Sequence, residues 1–307
     1  VTEVKEDEVM SWFKWLALSM SLSYLVYYLS WVVRKPRFIC KNERLRQFLL
    51  ENCGKLLKER FWPPFWCIAP NLQSLVYRVV LLRQNWQRPL SFQRQLLQLS
   101  DGGAVALDWQ NESSPPGPVV LFLTGLTSDS QAYYLRTLVP MVASTQRPCV
   151  VANYRGQGDV PLVNHRLVCA LSIHDLAEVI AAVKERFPHC PVLAVGYSLG
   201  GVLLGHYLRL LGDDAQIDAA VAISAPFHLP TSRRNLMGYS TAFLLNVYLT
   251  YFLVKRLRKH RRLLQSSGVV DVDSVLGSRT LYDFDNRYTA PVFGYENADD
   301  YYVHASL

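Results

Sequence analysis

The residues best spaced to do chemistry lie between Pro191 and Gly212. An apolar run, Val192-Leu193-Ala194-Val195, leads into Gly196-Tyr197-Ser198-Leu199-Gly200, and a helical pattern of Val202, Leu203, Tyr207, Leu208 and Leu211 follows. A serine so placed on a strand-to-helix turn is a nucleophile elbow, in which a strained turn lifts the hydroxyl clear of its neighbours to attack a carbonyl. Gly196 and Gly200 let the backbone pass close to itself, and Gly201 and Gly205 are expected to let the helix approach the sheet. The five-residue pattern alone is weak. Its strand, turn and helix setting gives it weight.

A serine hydroxyl attacks well only when a histidine takes its proton and an acid orients that histidine. After Ser198 the histidines are His206, His228, His260 and His304. His206 lies in the helix leaving the elbow, His228 follows the next strand too early, His260 sits in a basic run and His304 is three residues from the last. Each reads more readily as a surface or satisfied histidine than as a base. Asp299 and Asp300 follow no strand, so they are poor candidates for the acid. The oxyanion hole is better supplied: its two backbone donors are expected at Leu199, after the nucleophile, and at Leu126, in the loop after the strand 118–123. Gly125 keeps that loop open, although an ordinary strand-to-helix turn would read the same way. The six cysteines, Cys40, Cys53, Cys67, Cys149, Cys169 and Cys190, form no C-x-x-C pair and no zinc-like cluster with histidine, so reduced thiols, no metal and no cofactor are expected.

The elements that must hold these residues follow from the pattern. Residues 93–99 and 104–109, joined by Asp101-Gly102-Gly103, read as a hairpin. Strand 118–123, a helix from Ser130 to Ala143, strand 149–154, a helix N-capped by Ser172 and running to Arg186, the elbow, and strand 219–224 then alternate. That alternation means a mostly parallel sheet with helices on both faces, an α/β fold. Past Pro226 it stops. Asn235 to Val254 are 20 residues without a charge, ending in the basic run Lys255, Arg256, Arg258, Lys259, Arg261 and Arg262. With Asn235, Asn246 and several tyrosines it makes a poor membrane span, and a cap helix is the better reading. The remainder to Leu307 reads as irregular. The sheet so counted lacks the two closing strands that would carry the acid and the histidine.

At the other end, residues 1–10 are acidic and expected to be disordered. Trp15 to Val33 are 19 residues without a charge, which as a helix would span ~28 Å against a hydrocarbon core of ~30 Å. Acidic residues upstream and no small-residue cleavage site disfavour a cleaved signal, so a single membrane anchor is expected. Arg34, Lys35, Arg37, Lys41, Arg44 and Arg46 follow the span while only Lys5 and Lys14 precede it, which by the positive-inside rule puts the downstream domain in the cytoplasm. Residues 42–60 read as one amphipathic helix. Phe61-Trp62-Pro63-Pro64-Phe65-Trp66 then forms an extended segment whose tryptophans lie either at headgroup level or on the domain surface. The boundaries expected are a tail 1–14, an anchor 15–33, a juxtamembrane segment 34–91, an α/β core 92–227, and a cap with an incomplete C-terminal part 228–307. A net charge of +7 over 307 residues is concentrated locally, in the run 255–262. That points to a membrane surface as partner and away from nucleic acid.

Taken together, Trp62 to Trp66, Pro70-Asn71-Leu72-Gln73-Ser74, Gly125-Leu126-Thr127, Asn153-Tyr154-Arg155-Gly156, the elbow, and the stretch from Tyr282 to Tyr302 resemble one family. It is the membrane-anchored abhydrolase-domain branch of the α/β-hydrolase superfamily, the branch that holds members 1 and 3. The likeness covers residues 61–307. It implies hydrolysis of carboxylic esters in lipid-like substrates, lipase- or phospholipase-like, with Ser198 as nucleophile and a charge-relay Asp and His beyond Leu307. The expected location is the endoplasmic reticulum or another endomembrane. The family's catalytic domain is usually described outside the cytosol, against the charge count. This chain also carries Thr124 and Ser128 where the family's oxyanion loop usually begins with histidine and continues to a glycine. The alternative is a catalytically incomplete form that binds lipid or a partner.

Overall fold

A computed structural model describes residues 2–70, 72–74, 76, 89–113, 117–238 and 241–307. They form two compact units, residues 1–74 and 75–307.

In the first unit, helix α1 (Thr2–Tyr27) runs into a π-helical turn, Tyr28–Val32. The acidic residues expected as a disordered tail therefore belong to the helix; glutamate and lysine are good helix formers. Val9–Val32 is long and apolar enough to cross a membrane, and none of its most apolar window is buried against protein. Trp12, Trp15 and Trp31 are all exposed. The single helix expected over 42–60 is two: α2 (Glu43–Asn52), N-capped by Asn42 Oδ1 accepting from the Leu45 amide at 3.0 Å, and α3 (Gly54–Lys58), broken at Cys53. The aromatic and proline segment folds back on the first helix. Phe61 bridges to Arg34, Tyr28 Oη donates to the Pro63 carbonyl at 2.5 Å, and Tyr24 Oη donates to that of Phe65. Trp62, Phe65 and Trp66 stay exposed.

The second unit is built on six strands: β1 (Gln93–Gln98), β2 (Ala104–Gln110), β3 (Val119–Leu123), β4 (Cys149–Asn153), β5 (Val192–Tyr197) and β6 (Ala219–Ile223), in the order β1-β2-β4-β3-β5-β6. The β1–β2 hairpin and the β2–β4 pair are antiparallel, and β4, β3, β5 and β6 are mutually parallel, so the sheet is mixed. Every residue of β3 and β4 is buried, as continuous apolar runs in a sheet covered on both faces should be. Leu121 and Leu123 meet α5 (Ile173–Arg186) and α6 (Leu199–Leu211) on one face, through Ile180, Val183, Leu203 and Leu204. Val120 and Phe122 meet α4 (Leu135–Ala143) on the other. The α4 helix starts five residues later than its pattern suggested, and the Ser130 amide donates to Asn153 Oδ1 at 2.7 Å. Ser172 does stand at the N-cap of α5, but its Oγ accepts from the Cys169 amide at 3.0 Å and caps nothing. Among the described residues β6 pairs only with β5, and Ala219 to Ala222 are exposed.

The cap differs from its expectation. In place of one helix over Asn235 to Val254 there are two, α7 (Leu229–Met237) and α8 (Thr241–Lys259), bent by 107°. Leu253, Val254 and Leu257 of α8 are buried in a satellite core with Val275, Phe284 and Tyr288. The stretch to Leu307 is helical rather than irregular: α9 (Arg261–Ser267), α10 (Val272–Leu276), α11 (Leu281–Phe284), a π-turn (Asp285–Thr289), α12 (Ala290–Phe293) and α13 (Ala298–His304). Asp271, Thr280 and Asn297 cap α10, α11 and α13, with Thr280 and Asp283 forming a reciprocal capping box.

Candidate active site

Ser198 stands where β5 becomes α6, at φ +54° and ψ −115°, in a region that side chains rarely enter. Two hydrogen bonds tie the turn to its neighbours: the Ser198 amide donates to the Ile223 carbonyl at 2.9 Å and the Gly200 amide to the Thr124 carbonyl at 3.1 Å. The flanking glycines are dictated by space. A Cβ on Gly196 would stand 2.5 Å from the Gly200 carbonyl oxygen, and one on Gly200 2.5 Å from that of Leu123. Gly201 faces Ala222 of the sheet as expected. Gly205 instead faces the Leu307 side chain.

The loop after β3 lies against this serine: a Cβ built on Gly125 would be 3.5 Å from Ser198 Cβ. Three side chains hold the loop. The Gly125 amide donates to Tyr134 Oη at 3.0 Å, and the Leu126 carbonyl accepts from Gln157 Nε2 at 2.9 Å and Arg256 Nη1 at 3.3 Å. Thr124, fully buried, joins the set through its Oγ1, 3.3 Å from Gln157 Oε1. Tyr134 in turn stacks on Tyr197, the residue before the serine, with ring centroids 4.0 Å apart. With its carbonyl engaged, Leu126 keeps its amide unspent; among the described residues neither this amide nor that of Leu199, at the first position of α6, donates to a protein acceptor. Two unspent amides beside a strained serine can bind the oxygen of a tetrahedral adduct.

Behind the loops, a buried network fixes the ends of β2 and β4. Asp108 accepts from Arg94 at 2.7 and 2.8 Å and from Asn153 Nδ2 at 2.8 Å. Arg155, also buried, donates to Asp175 at 2.6 and 2.8 Å and to Asp101 at 2.9 Å, tying β4 to the start of α5 and to the hairpin turn. Burial works against that guanidinium, and the two carboxylates more than restore its charge.

None of the four later histidines hydrogen bonds to Ser198. His206 is buried, with Nε2 3.1 Å from the Ala305 carbonyl, and burial holds it below the usual imidazole range. His228 caps α7, its Nδ1 accepting from the Thr231 amide at 3.2 Å, and His304 pairs with Asp300 at 3.1 Å. His260 lies beside Arg256 and Lys259. Asp299 is engaged by Arg233 at 2.5 Å and Tyr282 Oη at 3.0 Å. All six cysteines are free thiols, and burial pushes Cys149 and Cys169 up to about 11.

Residues 118–265 match the family model described as the alpha/beta hydrolase fold. Phospholipase ABHD3 of Mus musculus is 31% identical over 298 residues, covering 95% of this chain and 71% of that protein. Phospholipase ABHD3 of Homo sapiens is 32% identical over 298 residues with the same coverage. Among solved structures, the esterase Pf2001 of Pyrococcus furiosus aligns with a TM-score of 0.41 at 21% identity, over 54% of this chain and 62% of that one.

Proposed function

The chain belongs to the α/β-hydrolase family, in the abhydrolase-domain group near phospholipase ABHD3, and on that premise we propose that it hydrolyses acyl esters of lipids with Ser198 as nucleophile. The observation that carries this is the strained serine at the end of β5 with the unspent amides of Leu126 and Leu199 beside it. Ser198 Oγ adds to the ester carbonyl, the two amides hold the oxyanion, and the alcohol leaves as an acyl-enzyme forms; water then releases the acid. The bent pair α7 and α8 shapes the acyl pocket. A membrane anchor over α1 would keep the site near its substrate, and the length, apolarity and exposure of Val9–Val32 favour it.

One observation favours a second reading, a lipid- or partner-binding protein without turnover: among the described residues no histidine bonds to Ser198 to take its proton. Release of octanoate from a dioctanoyl ester separates the two. Replacing Ser198 by alanine is expected to abolish whatever octanoate release the unaltered chain shows. Turnover that survives Ser198→Ala would remove Ser198 as nucleophile, and ester binding with no turnover in the unaltered chain would favour the second reading.

A further inference from the structure

A cavity of about 760 Å³ opens beside the oxyanion loop, walled by residues 127–133 after β3, 156–161 after β4, and one face of α8. Its lining carries four cations, Arg136, Lys255, Arg256 and Lys259, against two carboxylates, Asp129 and Asp159. Asp129 is partly spent, since its Oδ1 accepts from the Gln131 amide at 2.9 Å. Among the described residues no carboxylate lies within ion-pair distance of Lys255, Arg256 or Lys259. Arg256 is the partly buried one. Of its five donors, one is given to the Leu126 carbonyl, and the rest of the fork is left for a ligand. Burial pulls its pKa down to about 10, outweighing the opposing pull of the Asp129 carboxylate. His260 is held below its ordinary range by burial and by Lys259 and Arg256.

We propose that this cavity is an anion subsite in which Arg256, flanked by Lys255 and Lys259, takes the phosphate of a glycerophospholipid whose ester carbonyl faces Ser198. The strand order β4-β3-β5 supports the distance. The cavity stands over the ends of β4 and β3, Ser198 over the end of β5, and strands ~4.8 Å apart put a bound phosphate ~5–10 Å to the side of the serine. A few bonds separate phosphate from acyl carbonyl in such a lipid. The position of the ester rests on the hydrolase reading above; the anion subsite does not.

The test is titration calorimetry on the full chain in neutral detergent, carrying Ser198→Ala to stop turnover, with monomeric dihexanoyl phosphatidylglycerol, dihexanoylglycerol and inorganic phosphate as probes. Arg256→Met is expected to weaken phospholipid binding ~10–100-fold, the value of a charge-assisted contact, and by clearly more than it weakens dihexanoylglycerol binding, since the same side chain also holds the Leu126 carbonyl. Lys259→Met, at an exposed position that leaves the fold intact, is expected to weaken it in the same selective way, and Arg256→Lys to retain most of it. Equal losses for both lipids, or no loss in either methionine variant, would overturn the proposal. Inorganic phosphate binding as tightly as the phospholipid would overturn the headgroup assignment in favour of the free ion. Selective phospholipid binding through Arg256 with Ser198 shown not to be the nucleophile would leave the subsite standing and remove only the hydrolase reading.

Discussion

Ser198 is held at φ +54° by backbone hydrogen bonds, the Gly200 amide on the Thr124 carbonyl and its own amide on that of Ile223, and by glycines where no Cβ fits. Gly200→Ala must push its methyl against the Leu123 carbonyl, so it is expected to lower stability by about 1–3 kcal/mol, read as a shift in the urea midpoint with unchanged slope. The Tyr134 hydroxyl accepts from the Gly125 amide and so holds the loop that lies against Ser198. Tyr134→Phe removes the acceptor for the Gly125 amide and is expected to reduce kcat by up to ~100-fold, as a small misplacement does, with KM and stability nearly unchanged; a change confined to KM would contradict a positioning role. Asp285 bears on stability rather than chemistry. Burial raises its carboxyl to about 6 despite hydrogen bonds from Thr289 and Tyr302. A raised acid binds protons in the folded state that the unfolded chain has lost, so its contribution falls as pH rises from ~4 through 6, and Asp285→Asn should flatten the melting temperature over that window. The strand, turn and helix around Ser198 were legible because that pattern is local. Tyr134, Gln157 and Arg256 reach the loop across 9, 31 and 130 residues, and no spacing in the chain marks such contacts.

The elements bring these residues together through one ion network and a set of caps. In Asp108, burial pushes the carboxyl up, but hydrogen bonds from Arg94, Ser130 and Asn153 together with the Arg94 charge outweigh it, and the net shift is downward. A depressed acid stabilises the fold at pH values above its unfolded pKa of ~3.9 and ceases to do so as pH falls through the folded value. Asp108→Asn is therefore expected to destabilise the unit at neutral pH by about 1–3 kcal/mol and to make its acid unfolding less steep. An unchanged acid limb in circular dichroism would contradict this. The strands were readable from their apolar runs and glycine turns. The cap was not: its uncharged stretch has no helical period that marks the bend near Gly238. The short helices after Arg261 rest on caps at Asp271, Thr280 and Asn297, signals present in the chain but outvoted by its many aromatic and acidic residues.

In the whole molecule the apolar stretch lies apart from the serine elbow and the basic run. Val9–Val32 carries the membrane signal in the first unit, while the elbow and the run 255–262 belong to the second. If α1 is the anchor, removal of residues 1–34 shifts the protein from a carbonate-washed membrane pellet to the supernatant; unchanged sedimentation would mean that another surface holds it. The α/β layering was legible throughout, since each βα step announces the next, whereas the base that would serve Ser198 was found neither in the pattern nor in the contacts of the described histidines. The proposed chemistry turns on the reactivity of one hydroxyl. Treating the full chain with a fluorophosphonate and mapping the adduct by mass spectrometry tests it most directly. Phosphonylation of Ser198, abolished in Ser198→Ala, is the result expected; equal labelling of the alanine variant, or no adduct at Ser198, would contradict it.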